Sequence, residues 1–208
     1  MSAEIRAVIF DFGNVVCHPP SPEKLARAAA LCDLTVEQFV HAFWVPRLDY
    51  DAGLLEPAEY WAAFAEAAGI RFDPALLPTL IHTEIGFWND FDTRVLAWVD
   101  TLRANGIRTA MLSNLPVVLG EALRGTPGFL EHFDHLTFSY ELLTVKPAPE
   151  IYRHAVNGLG VAAEEALFLD DKQANVDGAL AVGLHAELFT SWHEFLVLDT
   201  PRRYGLPL

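Results

Sequence analysis

Residues Val8–Val15 read Val-Ile-Phe-Asp-Phe-Gly-Asn-Val, and this stretch decides the fold class of the chain. Its apolar first half is typical of a buried β-strand, which delivers the carboxylate of Asp11 to a loop that contains glycine. A buried carboxylate is costly unless it is paired, hydrogen-bonded or bound to metal, so its position favours a functional role. The alternative is a tight turn in which Asp11 or Asn14 bonds its own backbone.

Three later apolar runs end in the same way, each with polar groups at its carboxyl end. In an open parallel α/β sheet, residues at the carboxyl ends of adjacent strands converge on one crevice, where such folds bind ligands. A nucleophile, a hydroxyl group, a cation and an acidic pair are therefore predicted to meet. The runs and their polar groups are Ile107–Leu112 with Ser113 and Asn114, Leu143–Val145 with Lys146, and Ala166–Leu169 with Asp170 and Asp171.

Each of these groups has an ordinary structural explanation when it is considered alone. Ser113 with Asn114 is typical of a helix N-cap or a turn. Lys146 before a proline is compatible with a solvated loop cation. Asp170 and Asp171 are compatible with capping of the following helix, because acidic groups favour helix N-termini. Their joint occurrence in this order favours one shared site.

The ordered set resembles the haloacid dehalogenase-like (HAD) hydrolase superfamily, over nearly the whole chain. That superfamily has an Asp after the first strand, a Ser or Thr after the second, a Lys, and an acidic pair. Within subfamily I, the motifs are similar to the branch that includes sugar-phosphate phosphatases. These motifs are Phe-Asp-Phe-Gly-Asn-Val, Leu-Ser-Asn, Lys-Pro-x-x-x-Ile-Tyr and Phe-Leu-Asp-Asp-x-x-x-Asn-Val.

The resemblance implies a Mg²⁺-dependent phosphatase of a small phosphorylated metabolite, with a sugar phosphate as the expected substrate. Asp11 would attack phosphorus to form an aspartyl-phosphate. Mg²⁺ prefers hard oxygen ligands, which by motif alignment would be the Asp11 carboxylate, the Gly13 backbone carbonyl and the Asp171 carboxylate. Asn175 would support this metal shell from outside.

The resemblance also implies roles for the remaining motif residues. Ser113 would hydrogen-bond a phosphate oxygen, with the Asn114 backbone nearby. Lys146 would hold Asp11 ionised and offset the charge of the phosphate. Asp170 would pair with Lys146 or with a metal-bound water.

Gly13 departs from the superfamily pattern, because most of its phosphatases carry a second Asp at this position as general acid and base. Such catalysis is typically worth about 10²–10⁴-fold, so its loss slows a reaction without necessarily abolishing it. Family members with the glycine-asparagine version are regarded as phosphatases. We hypothesise that His18 or a metal-bound water substitutes in part, since histidine ordinarily titrates near neutral pH. The alternative for His18 is a loop residue before two prolines.

Other functions remain open. A 2-haloacid dehalogenase would use Asp11 to attack the carbon of a carbon–halogen bond. Superfamily members with that chemistry generally place Tyr at the position of Gly13 and need no magnesium. Without a metal, Asp171 would have no role as a ligand. A catalytically weak or degenerate phosphate-binding protein is supported only by the missing second Asp. A phosphonate-cleaving enzyme typically recruits a cap lysine, for which Lys24 is the candidate.

The predicted organisation is an α/β core of residues 1–17 and 86–208 and a helical cap of residues 18–85. The core is predicted to be a doubly wound, Rossmann-like parallel sheet of five strands. The cap would close over the crevice and set substrate choice. The predicted strands are Ile5–Phe10, Ile107–Leu112, His135–Phe138, Ala166–Leu169 and His185–Leu188, and the predicted helices include Pro22–Leu31, Thr35–Trp44, Pro57–Ala68, Asp92–Asn105 and Ala174–Val182.

Arg47 is the candidate substrate-binding cation of the cap, because a guanidinium group can grip a phosphate or a sugar oxygen. Aromatic side chains near it could stack on a sugar face. Alternatively, the aromatic residues form a small core of the cap, and Arg47 pairs with Asp49 or Asp51. The aromatic residues are Trp44, Tyr50 and Trp61.

Composition is consistent with an enzyme of the cytoplasm. The chain has 208 residues, of which 52% are hydrophobic, and its net charge of −14 disfavours nucleic-acid and anionic-membrane partners. Cys17 and Cys32 form neither a zinc motif nor a disulfide framework, which fits a reducing compartment. We expect neither a signal peptide nor a membrane span. The sequence makes no prediction of oligomeric state.

Overall fold

The computed structural model describes residues 4–208 of the chain. Five parallel strands form one sheet with the order β3-β2-β1-β4-β5, as in doubly wound α/β folds. The predicted fold class is confirmed. The strands are β1 (Ala7–Phe10), β2 (Arg108–Ser113), β3 (His135–Phe138), β4 (Ala166–Asp170) and β5 (His185–Leu188).

A helical insertion of five helices, α1–α5, follows β1 in the chain. Local sequence explains their starts: the Ser21 side chain accepts a hydrogen bond from Lys24 N, and Thr35 forms a capping box with Gln38. The helices are α1 (Pro22–Leu31), α2 (Val36–Trp44), α3 (Arg47–Asp51), α4 (Pro57–Ala68) and α5 (Leu77–Phe87).

The remaining helices alternate with β2–β5 or follow them. Helix α6 begins after Asp92, whose side chain accepts a hydrogen bond from Arg94 N. These helices are α6 (Thr93–Ala104), α7 (Val117–Arg124), α8 (Ser139–Leu142), α9 (Pro149–Leu159), α10 (Gln173–Ala181), α11 (Trp192–Val197) and α12 (Thr200–Arg203). Short 3₁₀ helices cover Pro74–Leu76, Leu130–His132 and Ala163–Glu165.

Strand β1 is buried on both faces of the sheet. Val8 and Phe10 belong to the apolar cluster that contains residues of α6, and the Phe10 ring lies 5.5 Å from that of Trp98. Ala7 and Ile9 belong to the cluster on the other face, with residues of α9 and α10. A continuous apolar run is what a central parallel strand requires, because helices cover both of its faces.

The boundaries of the elements differ from the predictions at several points. The apolar run Leu143–Val145, which lies outside the predicted strands, follows α8 as a loop, and Leu143 has a φ of 52° in the left-handed region. Helix α5 continues to Phe87, beyond the predicted end of the cap at residue 85. The division into core and cap stays a prediction. Within residues 4–208, no helix is long and apolar enough to cross a membrane.

Candidate active site

The polar residues predicted at the ends of the apolar runs, except the fully buried Asp170, line one cavity of about 300 Å³. Asp11 directly follows β1, and its neighbouring strands β2 and β4 end in Ser113 and Asp170. Lys146 comes from the loop after α8 rather than from a strand. The carboxyl edge of the sheet therefore brings the predicted groups together, as parallel topology requires. The lining includes Asp11, Gly13, Asn14, Ser113, Asn114, Lys146 and Asp171.

Lys146 lies between two carboxylates and is buried. Its Nζ is 2.8 Å from Asp11 Oδ1 and 2.6 Å from Asp170 Oδ2, and it donates to the Leu112 carbonyl oxygen at 3.0 Å. Burial alone would lower the pKa of Lys146, but the charges of Asp11 and Asp170 raise it above its ordinary value. Lys146 is thus a permanent cation of the site, and the alternative of a solvated loop lysine does not apply.

Asp11 has one engaged carboxylate oxygen and one without a hydrogen bond. Oδ1 accepts from Phe12 N at 2.6 Å in addition to its contact with Lys146. Among residues 4–208, none donates a hydrogen bond to Oδ2. Burial raises the pKa of Asp11 to about 7, opposed by Lys146 and assisted by the charge of Asp170. A carboxylate of this kind has a free oxygen for attack or for a metal ion.

Asp170 is held on both oxygens by its neighbours. Asn175 Nδ2 lies 2.9 Å from Oδ1 and 3.1 Å from Oδ2, and Lys172 N donates to Oδ1 at 2.8 Å. Helix α10 has no side-chain cap, so the capping interpretation of the acidic pair does not describe the structure. Asp170 thus lies between Lys146 and Asn175, with contacts to both side chains.

The carboxylates fit a magnesium ion by their chemistry. One oxygen from each of Asp11, Asp170 and Asp171 lies within 4.8 Å of the others. Asp171 Oδ2 accepts from Asn14 Nδ2 at 2.7 Å, and no residue of 4–208 donates to its Oδ1. Because Asp170 is already engaged, Asp11 and Asp171 are the carboxylates with free oxygens, and hard oxygen ligands of this type suit Mg²⁺.

Ser113 and Asn114 differ in what their side chains do. Within the described chain, the Ser113 hydroxyl has no hydrogen-bond partner, and it lines the cavity. It is not a helix N-cap, because α7 begins at Val117 and Pro116 occupies the cap position. The Asn114 amide donates to the Lys146 carbonyl oxygen at 3.1 Å and accepts from Lys146 N at 2.8 Å. Asn114 therefore fixes the loop that carries Lys146.

Gly13 is packed against an aromatic ring. A Cβ atom built at this position would lie 3.1 Å from Cζ3 of Trp88, which is tighter than ordinary contact. Trp88 is buried and also lines the cavity. A side chain at position 13 would thus require Trp88 to shift by a few tenths of an ångström, and this long-range contact was not predictable from the sequence.

His18 lies in a neighbouring cavity rather than in the cavity of Asp11. Its Nε2 is 3.7 Å from Asp92 Oδ2, and the two residues line this second cavity with Arg94. The second cavity shares Asn14 and Asp171 with the first. The substitution of His18 for the missing general acid stays a prediction, and its pairing with Asp92 provides a structural role.

Arg47 lines the cavity but is bound to two carboxylates of the insertion. Its Nε is 2.7 Å from Asp51 Oδ1, and its Nη1 donates to Glu84 Oε1 at 2.6 Å. Glu84 is fully buried on α5, and the sequence analysis missed it because 37 residues separate the partners. Among the candidate aromatic residues, Tyr50 and Trp61 are buried, whereas Trp44 is exposed and lines the cavity.

Comparison with known proteins identifies the class. A family model described as haloacid dehalogenase-like hydrolase matches residues 5–183. D-ribitol-5-phosphate phosphatase of Bacteroides thetaiotaomicron is 34% identical over 188 residues, covering 83% of this chain and 85% of that protein. Protein SUPPRESSOR OF QUENCHING 1 of Arabidopsis thaliana, a chloroplastic protein, is 27% identical over 191 residues, covering 87% of this chain but only 17% of its own length.

Solved structures share the fold over nearly the whole chain. A HAD-like family hydrolase from Porphyromonas gingivalis has a TM-score of 0.74 at 23% identity, covering 97% of this chain and 98% of its own. A HAD family enzyme of Bacteroides thetaiotaomicron, crystallised with magnesium and inorganic phosphate, has a TM-score of 0.70 at 21% identity and covers 92% and 98%. L-2-haloacid dehalogenase of Xanthobacter autotrophicus has a TM-score of 0.68 at 20% identity and covers 94% and 83%.

The chain belongs to the haloacid dehalogenase-like hydrolase family. The family resemblance of the four motifs is therefore confirmed, and so is the prediction of an enzyme of the hydrolase class.

Proposed function

We propose that this protein is a Mg²⁺-dependent phosphatase of a small phosphate monoester, acting through an aspartyl-phosphate on Asp11. The observation that carries the proposal is the buried Lys146, which lies between Asp11 and Asp170 in a cavity that also contains Asp171. One cation is held among carboxylates beside a free hydroxyl group. This arrangement is suited to charge neutralisation and positioning, the main requirements of phosphoryl transfer.

Each residue of the site has a separate role in the proposed reaction. Asp11 attacks phosphorus with its free oxygen, Oδ2, while Lys146 neutralises charge on the phosphate. The Ser113 hydroxyl donates to a phosphate oxygen, and Asn114 keeps the Lys146 loop in place. Asp11, Asp171 and the Gly13 carbonyl oxygen would hold Mg²⁺, which would supply a second positive charge at the phosphate.

The substrate class rests on the named relatives and on the size of the cavity. A relative that aligns with 83% of this chain is named D-ribitol-5-phosphate phosphatase, and phosphoglycolate and phosphoserine phosphatases also match parts of the chain. A cavity of about 300 Å³ accommodates a small metabolite, at the lower limit of typical ligand pockets. We propose a phosphorylated sugar or polyol as the substrate.

The test is release of inorganic phosphate from a panel of phosphorylated metabolites, with Mg²⁺ and with a chelator. Asp11→Asn should reduce phosphate release to background because the amide cannot form the aspartyl-phosphate. It should leave the thermal midpoint unchanged or raised, because it removes a carboxylate that is costly to bury. Release that needs neither the metal nor Asp11 would exclude the proposed mechanism.

A protein that binds phosphate without turnover is the second candidate, and Gly13 is the observation that favours it. Residue 13, at which most family phosphatases place an acid, is a glycine packed against Trp88, so the usual proton donor is absent. Magnesium-dependent phosphate binding by calorimetry, with no release from any member of the panel, would identify this function. Release of halide from 2-haloacids without Mg²⁺ would instead indicate a dehalogenase.

A further inference from the structure

Asp51 is the acidic residue of the insertion that lines the cavity of Asp11. It is the last residue of α3 and is 5% exposed. Its Oδ1 contacts Arg47, whereas no residue of 4–208 donates a hydrogen bond to its Oδ2. A buried carboxylate that retains one unpartnered oxygen beside a reaction cavity is available for proton transfer.

The end of α3 is fixed against the carboxyl edge of the sheet. The Ser139 hydroxyl, which follows β3, donates to the Asp51 carbonyl oxygen and also accepts from Leu115 N at 2.9 Å. Gly53 has a φ of 72°, and a Cβ atom there would lie 2.9 Å from the Tyr140 carbonyl oxygen. The Ser139 hydroxyl therefore links the backbone of Asp51 to that of Leu115, which directly follows Ser113 and Asn114 in the chain.

The charge balance around Asp51 favours a retained proton. Arg47 is one cation shared by two buried carboxylates, Asp51 and Glu84, and two carboxylates in one site cannot both ionise without cost. Burial raises the pKa of Asp51, opposed by Arg47 and the more distant lysines. Burial also raises the pKa of Glu84, again opposed by Arg47. The titratable groups around Asp51 are Arg47, Glu84, Tyr60, Lys146 and Lys172.

We propose that Asp51 is the general acid and base of the reaction, in place of the carboxylate that Gly13 lacks. The proposal rests on the phosphatase function proposed above. In the first step the bond from Asp11 to phosphorus forms, the bond from phosphorus to the leaving oxygen breaks, and Asp51 gives its proton to that oxygen. In the second step a water oxygen bonds to phosphorus, the bond to Asp11 breaks, and the water proton returns to Asp51. The products are the free alcohol and inorganic phosphate.

The dependence of the rate on the leaving group tests this role. A phenol as acidic as 4-nitrophenol leaves without protonation, whereas an alkoxide needs an acid. Asp51→Asn should lower kcat/KM for an alkyl phosphate by about 10²-fold or more. It should lower kcat/KM for 4-nitrophenyl phosphate by less than about tenfold. An equal fall for both substrates, or no fall for either, would overturn the proposal.

Two further variants distinguish a catalytic role of Asp51 from an effect on the packing of its cluster. Asp49→Asn, an exposed change on the same helix, should leave both rates unchanged. Glu84→Gln removes a carboxylate from the same cluster, and Glu84 does not line the cavity. This variant should therefore lower the rates for both leaving groups to the same degree. If Glu84→Gln also lowers the rate much more for alkyl phosphates than for 4-nitrophenyl phosphate, the effect comes from the cluster as a whole. That result would exclude Asp51 as the general acid.

The wild type provides a test that does not depend on a folded variant. With Asp51 as proton donor, kcat/KM of the wild type should vary little between phenyl and 4-nitrophenyl phosphate. A steep fall for the poorer leaving group would mean that no acid assists departure. Turnover that requires Mg²⁺ and Asp11 would in that case still support the phosphatase function and exclude only the role of Asp51. The absence of turnover with any substrate would exclude the phosphatase function.

Discussion

Two buried clusters of the molecule have the same arrangement of charges but lie on different structural elements. In each, one cation lies between two carboxylates: Lys146 between Asp11 and Asp170 at 2.8 and 2.6 Å, and Arg47 between Asp51 and Glu84 at 2.7 and 2.6 Å. Both clusters contribute to the same cavity. The first belongs to the edge of the parallel sheet, and the second belongs entirely to the helical insertion.

The elements that hold each cluster determine what the cluster can do. Strand ends fix Asp11 and Asp170 through the hydrogen bonds of the sheet, so Lys146 holds a reactive carboxylate in a constant geometry. Arg47 is a planar, permanently charged group held by carboxylates from α3 and α5. It therefore joins two helices of the insertion and leaves one side of Asp51 free.

Removal of either cation should produce the largest effects and distinguish the clusters. Lys146→Met and Arg47→Met each leave two buried carboxylates without their cation, which costs about 3–5 kcal/mol of unfolding free energy. Lys146→Met should also reduce phosphate release to background, whereas Arg47→Met should retain measurable release because Lys146 still faces the phosphate. Urea unfolding and phosphate release measure the two effects. The exposed Arg202→Met is the control and should change neither.

The comparison would fail if both variants lost activity to the same degree. That result would mean that Arg47 contacts the substrate, as the sequence suggested, and not only Asp51 and Glu84.

The strand-end cluster was predictable from the sequence because its geometry follows from topology. An apolar run followed by Asp11, and another followed by Asp170 and Asp171, place carboxylates at one edge of any parallel sheet. The loop that delivers Lys146 was predicted only as an apolar run, since the left-handed turn at Leu143 leaves no clear signal in the sequence.

The insertion cluster was predictable only in its local part. Arg47 and Asp51 lie four positions apart on one helix, a spacing that brings side chains together and that made the pair an open alternative. Glu84 comes from α5, and its approach depends on how the helices pack. The contact of Gly13 with Trp88 is of the same kind, because 75 residues separate the two. Such long-range contacts have no periodicity from which they could be predicted.

The pH dependence of stability tests a single carboxylate of the strand-end cluster, Asp11. The pKa of Asp11 is raised to about 7, so the folded protein holds a proton that the unfolded chain has released above about pH 4. Its contribution to stability is complete below about pH 4 and is lost as the pH rises through 7. Relative to Asp11→Asn, wild type without Mg²⁺ should lose up to about 1.4 kcal/mol per pH unit between these values.

Urea unfolding between pH 5 and 8 measures this difference. The raised pKa values of Asp51 and Glu84 act in the same direction, but both proteins contain them, so their contributions cancel in the comparison. Saturating Mg²⁺ should offset the loss because the ion binds only the ionised carboxylate. A difference between the two proteins that does not vary with pH would show that Asp11 has an ordinary pKa.

The smallest predicted effect concerns a contact between the two regions. The Lys172 ammonium group, beside Asp171, lies 5.4 Å from the centre of the Trp44 ring of the insertion, and both side chains are exposed. An exposed cation–π contact is worth about 0.5–1 kcal/mol. A double-mutant cycle of Trp44→Ala and Lys172→Met, followed by urea unfolding, should give a coupling of this size. The matched cycle of Trp44→Ala with Arg202→Met should be additive, because these residues share no contact. Additivity in both cycles would mean that the contact between Lys172 and Trp44 does not contribute to stability.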